Sequence, residues 1–356
     1  MVTSRTFTVA ISLIALLGSG CSDEQSDDAA GTTTSAPAAG TGPQEYTVIV
    51  DGPSTLNTEN LVYGTYFPAD IKVRPGDTIT YDNRSSNEIH TVTFGVKRDR
   101  ADQPPTVLKT RQANPVVFGP CYTTEPARPD ITCPAPTAGA PEYAGTGFWN
   151  SGVIMPTALP PEAGPKKTTV KLASDIAPGQ YVVTCLLHPN MEATVSVVGS
   201  DAERETAAAV AARADKELGD LKAQSTSIAV PTAGSGPTGA TVASGWSNKI
   251  VAVNRFHPET VAIKTGQTVT WKVYSDWMPH TVSFKAPFRS PAEPNALLPS
   301  GVKSGGRYAG GGSHSGIFGP PPDGETDTFA LTFTKAGKYP YLCLLHPGMA
   351  GTVEVS

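Results

Sequence analysis

Charge is scarce in this chain of 356 residues: Asp, Glu, Lys and Arg together make up 17%. The formal charge of −5 is concentrated near the start. Residues 21–45 carry five acids (Asp23, Glu24, Asp27, Asp28 and Glu45) and no base, and residues 1–20 carry only Arg5, which leaves −1 for the remainder. A nearly neutral body lacks the basic footprint of nucleic-acid binding and offers little electrostatic steering. Long apolar runs are also missing. The best candidate, residues 7–17, is too short to span a bilayer. Histidine occurs six times, cysteine five and methionine five, and no two histidines stand as His-x-His.

Glycine and proline, by contrast, are abundant, at 35 and 33. They punctuate runs of Val, Thr, Ile and Tyr, a pattern that predicts all-β sandwiches rather than helical bundles. The length fits about two to three domains.

Residues 1–20 read as a secretory signal: Arg5, an apolar stretch, then Gly-Ser-Gly before Cys21. A small-residue stretch ending at cysteine resembles a bacterial lipoprotein signal, which implies that Cys21 is lipidated and becomes the mature N-terminus. Leu17 stands four places before that cysteine rather than the usual three, and ordinary export is the alternative. Residues 21–45, acidic and then Thr/Ala/Gly/Pro-rich, have almost nothing to bury and read as a flexible linker. As a random coil it would reach on the order of 25–30 Å, enough to hold a domain clear of a membrane while keeping it tethered.

The chain then repeats itself. CLLHPNM supplies Cys185, His188 and Met191, and CLLHPGM supplies Cys343, His346 and Met349. Each follows a β-patterned run with Gly-x-Tyr and precedes an alternating Val-rich run. Upstream, Pro68 to His90 spans 22 residues, as does Pro258 to His280. Across those windows Gly76 falls on Gly266, Ile79 on Val269, Tyr81 on Trp271, Val92 on Val282 and Phe94 on Phe284 without a gap. Two copies of one module are predicted, each with a His-Cys-His-Met set. A thiolate, imidazoles and a thioether form a soft donor set of the kind that suits copper.

Both modules resemble cupredoxins, the single-copper electron-transfer domains of the plastocyanin and amicyanin type. The Cys-x-x-His-Pro-x-Met spacing and Met-Pro-His-x-Val-x-Phe around His280 are most similar to amicyanin. The resemblance implies two tandem Greek-key β-sandwiches, at residues 46–199 and 246–356. It also implies one type 1 copper in each: His90, Cys185 and His188 equatorial with Met191 axial, and His280, Cys343 and His346 equatorial with Met349 axial. In such domains the loop histidine exposes a ring edge through an apolar patch. Redox partner proteins would therefore dock near His188 and His346, on Leu186, Leu187 and Pro189 and on Leu344, Leu345 and Pro347. The family commonly has Asn after the first histidine; here it is Thr91 and Thr281.

From His90 to Cys185 is 95 residues, against 63 in the second copy. The excess sits in a Pro-rich insertion, about 97–165, whose Cys121 and Cys133 would form a disulfide in an exported protein, with a second metal site as the alternative. Both insertions end in a related phrase, WNSGVI at 149–154 and SHSGIF at 313–318. Residues 201–224 read as an amphipathic helix with a thin face of Ala207, Ala211, Ala214, Leu218 and Leu221. It serves as a connector packed on one domain, or as a spacer or dimer seam. Residues 225–245 read as a linker or an irregular surface strand.

The expected function is a membrane-tethered, exported blue-copper electron carrier of a bacterial cell envelope, not an enzyme. A two-domain copper oxidase or nitrite reductase is one alternative. It would need further histidines, and only His257 and His314 remain outside the two sets. Copper storage or delivery is another.

Overall fold

Side chains alternate between buried and half-exposed along several strands, the period-two pattern of a sheet with one face on a core. Thr78–Asn83 buries Ile79, Tyr81 and Asn83, and Thr328–Phe333 buries Phe329, Leu331 and Phe333. The computed structural model describes residues 42–110, 112–134, 139–285, 298–320 and 326–356. The signal segment, Cys21 and most of the acidic linker lie outside these.

The first sandwich packs a four-stranded sheet on a six-stranded one. The four run in the order Tyr66–Phe67, Glu45–Val50, Thr78–Asn83, Lys167–Lys171. The six are Asp70–Val73, Glu192–Val197, Gly179–Thr184, His90–Phe94, Phe148–Ile154 and Cys121–Thr123. The second sandwich repeats the plan. One sheet runs Gly306–Tyr308, Thr328–Phe333, Thr268–Tyr274, Gly239–Ser247, Val251–His257, Leu61–Tyr63, and the other Thr260–Ile263, Ala350–Val355, Gly337–Leu342, Ser283–Phe284, Ser313–His314. Each sandwich has its own core. Ile79, Val92, Phe94 and Val195 lie in the first, and Trp271, Phe284, Leu331 and Val353 in the second. Burying one such aliphatic side chain is worth about 1.5–3 kcal/mol.

Two elements differ from the sequence reading. In sequence, residues 225–245 read as a linker or an irregular surface strand, with the second domain opening at residue 246. Instead Gly239–Ser247 is a central strand of the second sandwich, and Val242, Ala243 and Trp246 are buried in it. Its sequence, GATVASGWS, is made largely of small residues and lacks the bulky β-branched pattern by which strands are recognised. The other is Leu61–Tyr63, a strand of first-module sequence. It pairs with Val251–His257 and so completes the second module's sheet. Residues 39–356 accordingly form one compact unit.

The helix runs Ala207–Ser225, capped by Thr206, whose hydroxyl accepts the N–H of Ala209 at 3.2 Å. Val210 and Ala214 are buried, and Leu218 and Leu221 lean on Ile49, Tyr63 and Phe67. The helix is therefore a connector packed on the first module, and Ala211, expected on its apolar face, is exposed.

Candidate metal centres

Each site sits where a strand start meets the loop between the last two strands of its sandwich. His90 opens the strand His90–Phe94, and Cys185, His188 and Met191 lie on the loop joining Gly179–Thr184 to Glu192–Val197. His280, just before Ser283–Phe284, stands likewise against Cys343, His346 and Met349. Both loops close with the same bonds. The Cys185 N–H donates to the Met191 carbonyl (3.0 Å) and the Met191 N–H to the His188 carbonyl (3.1 Å); the second loop repeats these at 2.9 and 3.2 Å. All eight side chains are buried.

The donor atoms converge. Cys185 Sγ lies 3.4 Å from His188 Nδ1 and 3.9 Å from His90 Nδ1, while Cys343 Sγ lies 3.4 Å from His346 Nδ1 and 4.0 Å from His280 Nδ1. Those separations suit a first-row ion centred among them at roughly 2.0–2.3 Å from each donor. Both thiols are primed as thiolates, the form that binds metal. Burial opposes ionisation, but His188 and His90 hold Cys185 well below the ordinary thiol range, and His346 with the backbone N–H groups of Thr281 and Leu345 holds Cys343 below it. The residues thus fit a soft, Cu-type donor set.

The threonines that replace the family's asparagine clip the loop to the histidine strand. The Thr91 N–H donates to Cys185 Sγ at 3.3 Å, and Thr91 Oγ1 accepts the N–H of Leu186 at 2.8 Å. Thr281 does the same for Cys343 and Leu344, at 3.4 and 2.7 Å. The repeated phrase that ends each insertion also has a role. Ser151 and Ser315 accept the N–H of Val92 (2.9 Å) and Val282 (2.8 Å), supporting the strand beside each first histidine. The first insertion reaches the metal loop directly. Arg100 donates to the carbonyls of Cys185 (3.0 Å) and Met191 (3.2 Å), and Gln103 to that of Leu186 (2.9 Å). Cys121 and Cys133 are disulfide-bonded within it.

The ring edges of His188 and His346 are not at the surface. Their residues are 3% and 2% exposed, and both Nε2 atoms turn to one buried carboxylate, Glu88, at 3.8 and 2.9 Å. Packing of the two modules on one another closes what an isolated domain would leave open. Trp277 of the second module meets the His188 ring edge-on at 5.8 Å between centroids. Among the described residues a small apolar pocket of about 60 Å³ remains beside the two rings. It is lined by Val107, Phe118, Leu187, Ile317 and Leu345 and reaches Glu88, His188 and His346 together.

Two residues at the sites escaped the sequence reading. Glu88 aligns with Met278 in the repeat, so a carboxylate standing opposite a buried apolar residue was the available signal. Asp51 is the other, and its carboxylate Oδ2 lies 3.0 Å from His90 Nε2 with both side chains fully buried. Burial works against a charged ring there, but Asp51 and Cys185 together raise the His90 pKa to about 10. Burial, reinforced by His346, pushes His280 well below the ordinary histidine value. Of the remaining histidines, His257 stacks edge-on with Trp246 at 6.2 Å, and His314 Nδ1 lies 2.7 Å from Ser283 Oγ.

Residues 247–356 match the family described as copper binding proteins, plastocyanin/azurin family. Amicyanin of Paracoccus denitrificans is 31% identical over 105 residues, which are 30% of this chain and 61% of that protein. Among solved structures, the reduced form of a Trp-to-Tyr mutant of amicyanin aligns at 22% identity over 35% of this chain and 92% of its own, with TM-score 0.22. A purple cupredoxin from Nitrosopumilus maritimus aligns at 20% identity over 33% and 98%, with TM-score 0.20. The chain spans less than two thirds of the length of the curated relative it matches. The family match over residues 247–356 and the amicyanin likeness support a cupredoxin family for the second sandwich of this chain.

Proposed function

We propose that this chain is an exported blue-copper protein that passes single electrons through two type 1 centres, one in each sandwich. The observation that carries the reading is the repeated convergence of one thiolate and two imidazole Nδ1 atoms at 3.4–4.0 Å in two fully buried settings. Copper bound there would supply a one-electron couple. The protein's part is to hold His90, Cys185 and His188, and likewise His280, Cys343 and His346, so firmly that little rearranges between oxidation states. Met191 and Met349, buried on the same loops, are the axial donors of this proposal. Partners exchange electrons at the apolar mouth shared by Leu187 and Leu345, rather than at two separate patches. Lipidation of Cys21 would hold the carrier at the outer face of the cell membrane.

The test is copper stoichiometry and the visible spectrum of the purified chain after Cu(II) loading. Two coppers with an intense thiolate-to-copper band, lost stepwise in Cys185→Ser and Cys343→Ser, are expected. One copper would reduce one module to scaffold. Tight, colourless Cu(I) binding would overturn the carrier reading in favour of storage or delivery.

A further inference from the structure

The two modules match ligand for ligand, but not behind the ligands. Val48 pairs with Tyr81 as Val242 pairs with Trp271, and counting three residues on from each brings Asp51 and Gly245 to the first histidine of their centres, Gly245 lying at a register shift of its strand. Asp51 is held fast: its Oδ1 accepts the N–H groups of Gly52 and Tyr63, both at 2.6 Å, and its Oδ2 faces His90 Nε2 at 3.0 Å. In the second module His280 Nε2 has no hydrogen-bond partner among the described residues. No side chain could reach it from the equivalent position, because a Cβ on Gly245 would lie 2.0 Å from that nitrogen. Behind the first histidine, therefore, one centre has a buried carboxylate where the other has bare backbone.

We propose that the two centres work in series, with Asp51 making the first module the electron donor and Glu88 carrying the contact to the second. This rests on the two-centre reading above. A carboxylate bonded to a ligand imidazole favours the more positive, oxidised state of the metal, and does so more strongly where water is excluded. The other charges nearby do not restore the balance. Arg100, beside the first loop, is paired with Glu192 at 3.6 Å. Glu88 is shared, at 3.8 Å from His188 and 2.9 Å from His346, and its closer approach to His346 is a weaker counterweight than a second carboxylate. The same Glu88 links the two rings across the module interface, where its carboxylate also lies 3.5 Å from Asn254 Nδ2. Copper held by His90, Cys185 and His188 would give up one electron, Cu(I) to Cu(II), and copper held by His280, Cys343 and His346 would take it, Cu(II) to Cu(I). No bond forms or breaks, and no proton is required.

The experiment loads the full chain with two coppers, adds one electron per molecule and reads by EPR which centre keeps Cu(II). Cys185→Ser and Cys343→Ser forms assign the signals. The expected result is at least about a tenfold preference for the electron on the second centre, about 59 mV for a one-electron couple. Asp51→Asn keeps an acceptor for Gly52 and Tyr63, so it should leave the copper count at two and erase most of that preference, while the metal-free melting temperature falls because His90 loses its buried carboxylate partner. Glu88→Gln should slow the internal step after pulsed reduction about tenfold, again with two coppers bound. Even sharing in the unmodified protein, or preference for the first centre, would overturn the inference and leave the carrier reading standing. So would a preference unmoved by Asp51→Asn, and if that variant does not fold the unmodified protein still decides the direction. Fewer than two coppers would sink both readings together.

Discussion

Leu61 pairs, backbone to backbone, with Val253, although one belongs to first-module sequence and the other to the second. The strand Leu61–Tyr63 caps an edge that would otherwise present unpaired N–H and C=O groups beside buried Val251 and Ala252. Open edges of this kind invite pairing with other chains. Residues 226–356 expressed alone should therefore melt lower than the full chain and self-associate. Size-exclusion chromatography with thermal unfolding checks this, and a monomer as stable as the whole protein would refute it.

Thr91 and Thr281 have a structural duty that is separable from the metal. Each hydroxyl accepts a buried loop N–H, from Leu186 and Leu344 respectively. Alanine at either position leaves that N–H unsatisfied, at a cost of about 1–3 kcal/mol. The metal-free melting temperature should fall by several degrees in Thr91→Ala and in Thr281→Ala, and recover in the serine variants. No change on alanine substitution would mean that the clip contributes nothing to stability.

Most of the fold was readable because each core face declares itself at period two, as in the TITYDN of Thr78–Asn83. The donor residues were readable because a repeat doubles a motif that would be weak alone. What stayed hidden depends on packing between modules. Nothing local to Leu61–Tyr63 says that its partner lies almost two hundred residues away. GATVASGWS looks like linker because Gly245 must admit the His280 ring. The burial of His188 and His346 required knowing that Glu88 stands between them. Glu88 and Asp51 look like ordinary loop acids until the repeat is aligned and their counterparts prove to be Met278 and Gly245.

A buried ion pair ties the start of the connector to the first sandwich. Arg204 Nη1 donates to Asp77 Oδ1, and both side chains are 1% exposed or less. Asp77 also accepts the N–H groups of Gln44 (2.8 Å) and Arg74 (2.7 Å). Arg204→Met strands a carboxylate in the interior and should cost about 3–5 kcal/mol in denaturant unfolding. The double variant Arg204→Met/Asp77→Asn should recover part of that loss, because the charge left behind is removed as well. Strict additivity of the two single losses would show that the residues do not act as a pair.

Gly245→Ala tests the second centre from behind. Gly245 has φ +70°, a conformation that costs an L-residue about 1–2 kcal/mol, and its added methyl would sit 2.0 Å from His280 Nε2. Either the strand Gly239–Ser247 or the ring must move. Gly245 lies at a register shift in both ladders, but Ala243 and Trp246 around it are paired on both sides, with Val251–His257 and Thr268–Tyr274, so the ring is the softer of the two. Displacing the ring carries His280 Nδ1 away from its 4.0 Å approach to Cys343 Sγ and breaks the second donor set. The first set is untouched, because Asp51 already occupies the equivalent place there and His90 is seated to accommodate it. Copper content should fall from two to one per chain, and the remaining spectrum should match that of Cys343→Ser. Two coppers with unchanged spectra would mean that the His280 ring does not rest on Gly245, and the difference between the two centres would lose its structural basis.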